Sequence, residues 1–541
     1  MTDPIQIESE NPASRSDGLI AGVLAIGVIA VMLTAMSFKV FELDRYFIPK
    51  ELVLNAAALL LVGLVIARPR ESNWNIPDGL LGMFLLWSIV SALFAMNHWL
   101  AQRALAVTLS SLIIYWSARR IQSERAKRYL INAAALASVI AAATSLAQAY
   151  GFESDYFTLA RAPGGTLGNR NFIAHVVAIG LPSSVWCTVT ARKPIGALLW
   201  SFAVAALAAT LVLSRSRAAY LAVIATVVIC GVLLMVSRRY WKATLVGGRL
   251  ARMLLVTVIG STIAVIIPNE LDWNSDSPYL DSARKVVDYS SGSGRGRIAQ
   301  YKNSLKVVQH DPVFGAGPGN WPVRYPKFAP VSDKSLADNG MTANPWPSSD
   351  WVAYLSERGA IATVSLLAFF AAVFFSSLRK WQETPDRDSI LLRIAVAGTV
   401  VATMVVSLFD AVLLLPAPAF LVWTILGAAG TEPQADPAKA TPIKTRRFLL
   451  MTALVMAALN LIRSATQVTA MWNVGTGGRT AGWVAGAKWD PGSFRINQRV
   501  AELYANRRQC SKARPYIRRA VDLFPSSPPA RRLARRCGLK I

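Results

Sequence analysis

The chain has 541 residues, of which 53% are hydrophobic and only 16% are charged, and its mean hydropathy is +0.38. Soluble proteins carry about 25% charged residues, so this composition excludes an ordinary soluble enzyme and indicates an integral membrane protein. The net charge of +26 is typical of cationic loops beside anionic lipid, and we interpret it in that way rather than as nucleic-acid binding.

About thirteen apolar runs approach the roughly 20 residues that a helix needs to cross a bilayer. They lie near residues 19–36, 52–66, 80–95, 104–118, 130–146, 172–189, 195–213, 218–236, 254–267, 360–376, 394–409, 412–428 and 448–462. Residues 1–17 are polar and acidic at Glu8 and Glu10, without the basic start of a signal peptide, so we expect the first span to stay in the membrane. The sequence thus predicts an all-α integral membrane protein with about 12–13 transmembrane helices.

Basic residues are concentrated in short loops at residues 117–129, 237–252, 379–393 and 439–447. Short loops rich in Lys and Arg stay in the cytoplasm, and these loops all fall on one side if the spans alternate. We therefore expect a cytoplasmic N-terminal segment at residues 1–17 and a polytopic membrane domain at residues 18–467. The long loop at residues 268–350 and the tail at residues 468–541 then lie on the opposite, extracytoplasmic face.

The tail has the pattern of amphipathic helices. Residues 497–519 and 525–537 are predicted to form two or three amphipathic helices, because their apolar residues recur at helical spacing. The second of these helices ends before Pro525. This resembles one tetratricopeptide-type helix pair, which must pack on the membrane domain, on residues 475–493 or on a partner. Residues 488–541 hold 14 Lys or Arg against 3 Asp or Glu, either a solvated face or a docking face for an anionic glycan or lipid. An oxidising compartment would permit a disulfide between Cys510 and Cys537.

In the expected topology, two pairs of arginines fall on the extracytoplasmic side, contrary to the positive-inside rule. Arg215 and Arg217 lie at the edge of a span, and Arg295 and Arg297 lie in a Gly- and Ser-rich part of the long loop. A guanidinium near a membrane boundary either snorkels to lipid headgroups or binds an anion, and its shape suits bidentate capture of phosphate. Two such pairs on one face favour a membrane-embedded anionic substrate such as a lipid pyrophosphate.

Neither a metal nor a nucleotide cofactor is predicted. The three histidines, His98, His175 and His310, are too dispersed for a zinc site. Glycines at positions 315, 317 and 319 lack the strand and helix that flank a dinucleotide loop, and no Gly-Lys-Ser/Thr ending follows them. We therefore predict no metal and no cofactor.

Short motifs between the spans carry a family resemblance. Residues 165–172 read Gly-Thr-Leu-Gly-Asn-Arg-Asn-Phe, and residues 216–222 read Ser-Arg-Ala-Ala-Tyr-Leu-Ala. Residues 310–320 read His-Asp-Pro-Val-Phe-Gly-Ala-Gly-Pro-Gly-Asn and follow Arg297. Over roughly residues 19–428 the chain resembles the superfamily of O-antigen ligases and polymerases, which also includes bacterial protein O-oligosaccharyltransferases.

The resemblance implies a metal-independent, inverting glycosyltransferase of GT-C-like architecture at the periplasmic face of the bacterial inner membrane. It implies a donor glycan on undecaprenyl pyrophosphate, an acceptor that is a glycan, lipid A-core or protein, and a place in surface polysaccharide or lipopolysaccharide biosynthesis. The substrate-binding positions that it implies are Arg217 and Arg297 for the pyrophosphate, their neighbours Arg215 and Arg295, and the supporting residues Asn169, Arg170 and Glu357.

One departure from the family pattern affects the catalytic base. The span after the long loop keeps the family's acid and aromatic at Asp350 and Trp351, but its His-Asn positions are Ser348 and Ser349. The family's histidine is the base toward the acceptor hydroxyl, and serine cannot replace it alone. Asp350, as a partly desolvated carboxylate, and His310 are the two candidate bases.

Three alternatives to a transferase are left open. The chain could bind the lipid-linked glycan without transferring it, because of Ser348. It could transport or flip an anionic lipid, although that class favours inverted internal repeats, which are not evident here. It could also be a scaffold that recruits partners through the tail. Among transferases, the sequence does not distinguish a ligase from a polymerase or from a protein O-oligosaccharyltransferase.

Overall fold

The structure is a computed structural model that describes residues 12–540 apart from 42, 68–73, 241–242, 274, 276, 285–291, 380–385, 431–442 and 479. Residues 1–11 and parts of the predicted basic loops at 237–252, 379–393 and 439–447 lie outside the described residues. Across the described ranges the chain is helical, apart from turns and one isolated bridge between Leu336 and Thr342.

Within the described residues, nine α-helices precede the long loop: α1 Pro12–Leu33, α2 Asp44–Ala67, α3 Ile76–Leu93, α4 His98–Arg119, α5 Glu124–Ala149, α6 Arg170–Thr190, α7 Pro194–Ser214, α8 Arg217–Ser237 and α9 Ala243–Ile266. The loop holds α10 Pro278–Arg284, α11 Gly292–His310 and α12 Trp321–Arg324. The membrane domain continues with α13 Asp350–Arg379, α14 Arg387–Phe409, α15 Pro416–Ala429 and α16 Ile443–Thr476. The tail forms α17 Ala481–Trp489, α18 Phe494–Asn506, α19 Cys510–Leu523 and α20 Pro528–Arg536.

Eleven of the described helices are long and apolar enough to cross a membrane. The predicted run at 104–118 lies in α4, which is not among the eleven, and most of the run at 412–428 lies in α15, which is a shorter apolar helix. Helices satisfy their own backbone hydrogen bonds in lipid, which is why long apolar runs form them. The predicted all-α integral membrane fold is confirmed, and the chain is a multi-pass membrane protein.

Helices α6 and α15 lie at the centre of the bundle. Helix α6 packs against α5, α7 and α14, and α15 packs against α4, α5 and α1. Small residues permit the closest approaches, as expected where helices associate through packing in lipid. A Cβ on Gly427 of α15 would lie 2.5 Å from the Tyr115 carbonyl oxygen, and one on Gly180 of α6 would lie 2.0 Å from Ser138 Oγ. The two central helices therefore sit nearly backbone to backbone with α4 and α5.

Contacts between loops and helix ends show which segments lie at the same face of the bundle. On one face the Asp17 carboxylate accepts hydrogen bonds from the backbone N–H groups of Gln122 and Ser123, so the start of α1 lies beside the basic loop at 117–129. On the other face Glu270 N–H donates to the Ala149 carbonyl, which joins the long loop to the end of α5. This arrangement agrees with the alternation of spans that the sequence predicts.

The tail packs on the second face. The Asn97 amide donates to the Leu523 carbonyl at 2.9 Å, and the Phe494 and Phe524 rings pack on Val323 of the long loop. Cys510 and Cys537 form a disulfide, as the sequence permits. Of the predicted packing options, the tail takes two: it packs on the membrane domain, including its long loop, and on residues 475–493, where Ala487 contacts the cluster of Ile496 and Val500. Helix α16 continues through the expected domain boundary at residue 467 to Thr476.

Candidate functional site

The segment at residues 310–320 packs around helix α13. The Glu357 carboxylate accepts hydrogen bonds from Gly319 N–H at 2.8 Å and from Trp321 N–H at 3.2 Å. The Glu357 carbonyl accepts from Gly317 N–H at 2.8 Å. Because Glu357 is buried and its carboxylate already binds this loop, its direct role is to hold the loop in place.

Two glycines make this packing possible. Gly359 has a φ of +78° inside α13, and a Cβ there would lie 2.0 Å from the Val313 carbonyl oxygen. Gly315 has a φ of +67°, and a Cβ there would lie 2.4 Å from the Glu357 carbonyl carbon. Residues with a side chain rarely adopt this conformation. The glycines of this motif therefore serve a tight joint between the long loop and α13.

The segment at residues 164–170 starts helix α6. Gly168 has a φ of +70°, and a Cβ there would lie 2.3 Å from the Tyr46 ring beneath it. The buried Asn169 side chain accepts from Asn171 N–H at 3.0 Å and caps the helix. Arg170 is therefore held at the first position of α6. Asn169 acts here by positioning its neighbours.

Arg170 and Arg215 meet at one aromatic ring. Their guanidinium carbons lie 4.8 Å and 4.6 Å from the centroid of the Trp273 ring. Arg215 ends α7 in the left-handed region, at φ 53°, and its Nε donates to Ser282 Oγ at 2.8 Å. Cation–π contact offsets part of the repulsion between two cations. The long loop, which carries Trp273 and Ser282, thus brings two arginines from different helices together.

Arg297 and Arg161 lie around a carboxylate that the sequence analysis did not identify. Asp410 follows α14 directly and accepts hydrogen bonds from Ala411 N–H at 2.9 Å and from the Asn171 side chain. Both arginines lie within electrostatic range of it. Although part of Asp410 contacts solvent, burial raises the pKa of its carboxyl, opposed by Arg297, by the Ala411 N–H, by Arg161 and by Asn171 in decreasing order.

Arg161 connects the two groups of residues. Its carbonyl accepts from Arg170 N–H at 3.0 Å, and Arg170 lies within electrostatic range of both Arg161 and Arg215. We call Arg161, Arg170, Arg215 and Arg297 the arginine cluster. Asp410 is a carboxylate beside it. Nothing in the sequence around Asp410 distinguishes it from a span-terminal acid, because its neighbours come from residues 161, 171 and 297, far away in the chain.

The other two predicted arginines lie nearby. Arg217 is the half-buried first residue of α8, and only Ser216 separates it from Arg215. Arg295 is exposed on α11. Two residues of a helix are separated by about 200° of rotation, so Arg295 lies on the opposite side of α11 from Arg297.

Asp350 is a buried anchor. Its carboxylate accepts hydrogen bonds from Ser407 Oγ at 2.7 Å, Val412 N–H at 3.0 Å and Leu413 N–H at 2.9 Å. These partners belong to the end of α14 and the loop that follows it. Asp350 thus holds the backbone that carries Asp410.

His310 is at the far end of α11. Its Nδ1 lies 3.0 Å from the Asp311 carboxylate, and Asp311 also pairs with Arg324. Thirteen residues of α-helix separate it from Arg297, which corresponds to about 20 Å. The structure therefore does not bring His310 to the arginine cluster.

His175 is a second residue that the sequence analysis did not select. It lies one turn after Asn171 on α6, is 1% exposed, and neither of its ring nitrogens has a hydrogen-bond partner. Arg297 lies within electrostatic range of its ring. In the sequence, His175 is a lone histidine in an apolar run. Such a histidine is more often a core residue than a functional one. Among the described residues, no three His, Cys, Asp or Glu side chains are grouped to hold a metal ion.

Comparison with known proteins gives one family. Residues 202–367 match the family model described as O-antigen ligase. The match extends from within α7 to within α13 and includes Arg215, Arg217, Arg297 and Asp350. It supports the resemblance drawn from the motifs, over a shorter stretch than residues 19–428. No curated protein matches the chain.

Proposed function

We infer from the O-antigen ligase match at residues 202–367 that this multi-pass membrane protein acts in surface polysaccharide biosynthesis as a relative of O-antigen ligases and polymerases. From this premise, we propose that the chain transfers a glycan from undecaprenyl pyrophosphate to an acceptor at the periplasmic face of the bacterial inner membrane. The observation that carries the proposal is the convergence of the arginine cluster with Asp410 at one face of the bundle.

The arginine cluster would bind the donor's pyrophosphate, together with Arg217. Guanidinium groups bind phosphate oxygens in pairs, and charge develops on the leaving pyrophosphate in the transition state. Arginines held on the long loop and on α6 and α7 need little reorganisation to stabilise that charge. We leave Arg295 outside the site, since it lies on the opposite side of α11. The reaction we propose needs no metal, because the arginines supply the positive charge.

The transfer would be a single displacement. The acceptor hydroxyl oxygen attacks the anomeric carbon, the bond from that carbon to the pyrophosphate oxygen breaks, and the lipid pyrophosphate leaves. Attack from the face opposite the leaving group inverts the anomeric configuration. The hydroxyl proton passes to a carboxylate, a contribution of about 10²–10⁴ in rate.

We propose Asp410 as the proton acceptor, in preference to Asp350 and His310. The Asp350 carboxylate is held by Ser407 and two backbone amides, and His310 lies about 20 Å along α11 from Arg297. Asp410 contacts solvent and lies beside Arg297, with a pKa raised by burial toward the range of a useful base. Asp350 would then position Asp410, and Glu357 would position the long loop.

Two observations support the periplasmic orientation. Disulfides form in oxidising compartments, and the tail that carries Cys510–Cys537 packs on the same face as the long loop. The basic loop at 117–129 lies on the opposite face, beside the start of α1. We therefore propose the domains expected from the sequence, at residues 1–17, 18–467 and 468–541, with α16 running from the second into the third and with the loop at 268–350 and the tail in the periplasm.

Binding without transfer is the second candidate. It is favoured by Ser348, which stands at the family's histidine position and whose N–H donates to the Gln300 side chain at 2.7 Å. A lipid-linked glycan binder or flippase would still need the arginine cluster. The two candidates differ in whether the bond between sugar and pyrophosphate breaks.

A deletion strain tests the proposal. Loss of surface glycan, with lipid-linked glycan accumulating in the membrane, is the expected result. Shortened chains would identify a polymerase, and unattached full-length polymer a ligase. Complementation by the wild-type gene but not by an Arg217→Gln, Arg297→Gln variant assigns the defect to the proposed site. Normal complementation by that variant would overturn the proposal. Labelling of an engineered cysteine in the long loop from the cytoplasm would overturn the orientation.

A further inference from the structure

Helix α20 has one fully basic side. The residues that it buries are Pro529, Ala530, Leu533 and Ala534. The residues that it exposes include Arg531, Arg532, Arg535 and Arg536. The arginines are spaced at i and i+4, so they form two neighbouring ridges along the helix.

Helix α19 extends this surface. It exposes Lys512, Arg514, Arg518 and Arg519, and Asp522 is the one acidic residue in either helix. The disulfide joins Cys510 at the start of α19 to Cys537 just after α20, which fixes the two helices together. We call these eight cations on α19 and α20 the basic face.

Among the described residues, none of the eight cations of the basic face forms an ion pair with a carboxylate. Within the described residues, the tail's ion pairs with carboxylates are those of Arg495 and Arg499, outside this face. Three of its arginines donate to neutral acceptors: Arg514 to the Cys537 carbonyl, Arg531 to the Pro525 carbonyl and Arg536 to the Asn506 side chain. The positive charges of these eight side chains repel one another, and a bound polyanion would offset this repulsion.

The face does not resemble a membrane-docking surface. Helices that lie on lipid combine cations with exposed Trp, Phe or Leu side chains that enter the acyl boundary. In the described part of the chain, Trp489 is the last large hydrophobic residue that is exposed. Exposed Trp472 and Trp489 lie before α18, at the junction with the membrane domain. The pattern favours a soluble polyanion over lipid headgroups.

The face is also fixed beside the long loop. Ser526 Oγ donates to the Val323 carbonyl at 3.4 Å, which ties the α19–α20 connection to the long loop. Helix α19 has 14 residues, so the basic face is about 20 Å long. An extended chain of several sugars matches that length, whereas a single phosphate does not.

We propose that the basic face binds the carboxylate groups of an acidic polysaccharide. It would thereby hold the acceptor or product chain beside the long loop. The identification of this chain as acceptor or product rests on the proposed function, whereas binding itself does not. The polymer would bind along α19 and α20 without a covalent step.

Binding can be measured with the full chain in phosphatidylcholine nanodiscs. The probe is a fluorescent alginate oligosaccharide of about ten uronate residues, with neutral dextran of equal length for comparison. The test variant is R531Q/R532Q/R535Q/R536Q, and R125Q/R192Q/K193Q/R252Q removes four exposed cations from the opposite face. Quantifying the disulfide and thermal unfolding of both variants checks that they fold.

We expect alginate binding without dextran binding, and a loss of at least about tenfold in the α20 variant alone, because each exposed ion pair contributes a small share. Equal binding by the two variants would overturn the proposal. Loss of wild-type binding in discs that contain phosphatidylglycerol would assign the face to lipid headgroups and would also overturn it. An Arg297→Gln variant should bind alginate normally, so failure of transfer and failure of this inference are distinguishable.

Discussion

The joint at Glu357 and the arginine cluster use polar residues in opposite ways. Around Glu357, a buried carboxylate and the backbone amides of Gly319 and Trp321 satisfy one another. In the arginine cluster, four cations from the long loop, α6, α7 and the loop before α6 gather beside one carboxylate, Asp410. The first region is occupied by contacts within the protein. The second has an excess of positive charge that an anionic substrate can offset.

This difference separates residues that share one family pattern. Glu357, Gly359 and the glycines of residues 315–319 serve the packing of the long loop on α13. Arg215 and Arg297 lie where the substrate is proposed to bind. A change in the first group should therefore act on folding, and a change in the second group on catalysis.

Arg297→Gln should have the largest effect. Removing a guanidinium that stabilises the leaving pyrophosphate is expected to lower kcat by about 10³-fold, with little change in thermal stability. The measurement is turnover of a purified lipid-linked glycan donor. Lys302→Gln, which removes an exposed cation from the same helix, is the control and should keep normal turnover. Equal losses in both variants would mean that general charge, and not Arg297, supports the activity.

Asp410→Asn should lower kcat by about 10²-fold, because the acceptor proton loses its carboxylate. Burial raises the pKa of Asp410, so wild-type kcat/KM should fall on acidification at a pH above the ordinary carboxyl range. A raised pKa means that folding favours the protonated form, so the ionised carboxyl costs stability as the pH rises. The variant should therefore unfold at a higher temperature than wild type at neutral pH. A flat pH profile in wild type would exclude Asp410 as the base.

Gly359→Ala tests the joint. The added Cβ would meet the Val313 carbonyl oxygen at 2.0 Å in a left-handed conformation, which should cost at least about 2 kcal/mol of folding free energy. Thermal unfolding in detergent measures this. Gly231→Ala on α8, where a Cβ meets nothing within 4 Å, is the matched control. If the two variants are equally stable, the packing of residues 310–320 on α13 is not as described.

The Cys510→Ser, Cys537→Ser pair tests the rigidity of the tail. Loss of the disulfide should cost about 2 kcal/mol of local stability and should speed proteolysis of α19 and α20. Transfer in the arginine cluster should change little, since the disulfide lies outside it. Unchanged proteolysis would show that packing on Val323 and Phe494 is sufficient.

The membrane fold could be predicted because apolar runs and basic loops are local signals. The predicted spans coincide with α1–α9 and α13–α16, and the disulfide that the sequence permits is present. The site could be predicted in part, because the topology expected from the sequence places Arg215 and Arg297 on the extracytoplasmic side, where the positive-inside rule does not account for them. Asp410 and His175 could not be predicted, because their significance depends on Arg297, which is more than a hundred residues away from each in the chain. The anchoring role of Asp350 depends likewise on the α14–α15 loop.

Release of undecaprenyl pyrophosphate tests the central claim most directly. Purified chain in nanodiscs is mixed with an undecaprenyl-pyrophosphate-linked glycan and an acceptor glycan, and the free lipid pyrophosphate is quantified over a single turnover. We predict release that requires the acceptor and is lost in the Arg297→Gln and Arg217→Gln variants but kept in Lys302→Gln. Donor that stays intact while it binds to the wild-type chain would contradict transfer and leave a lipid-linked glycan binder or flippase.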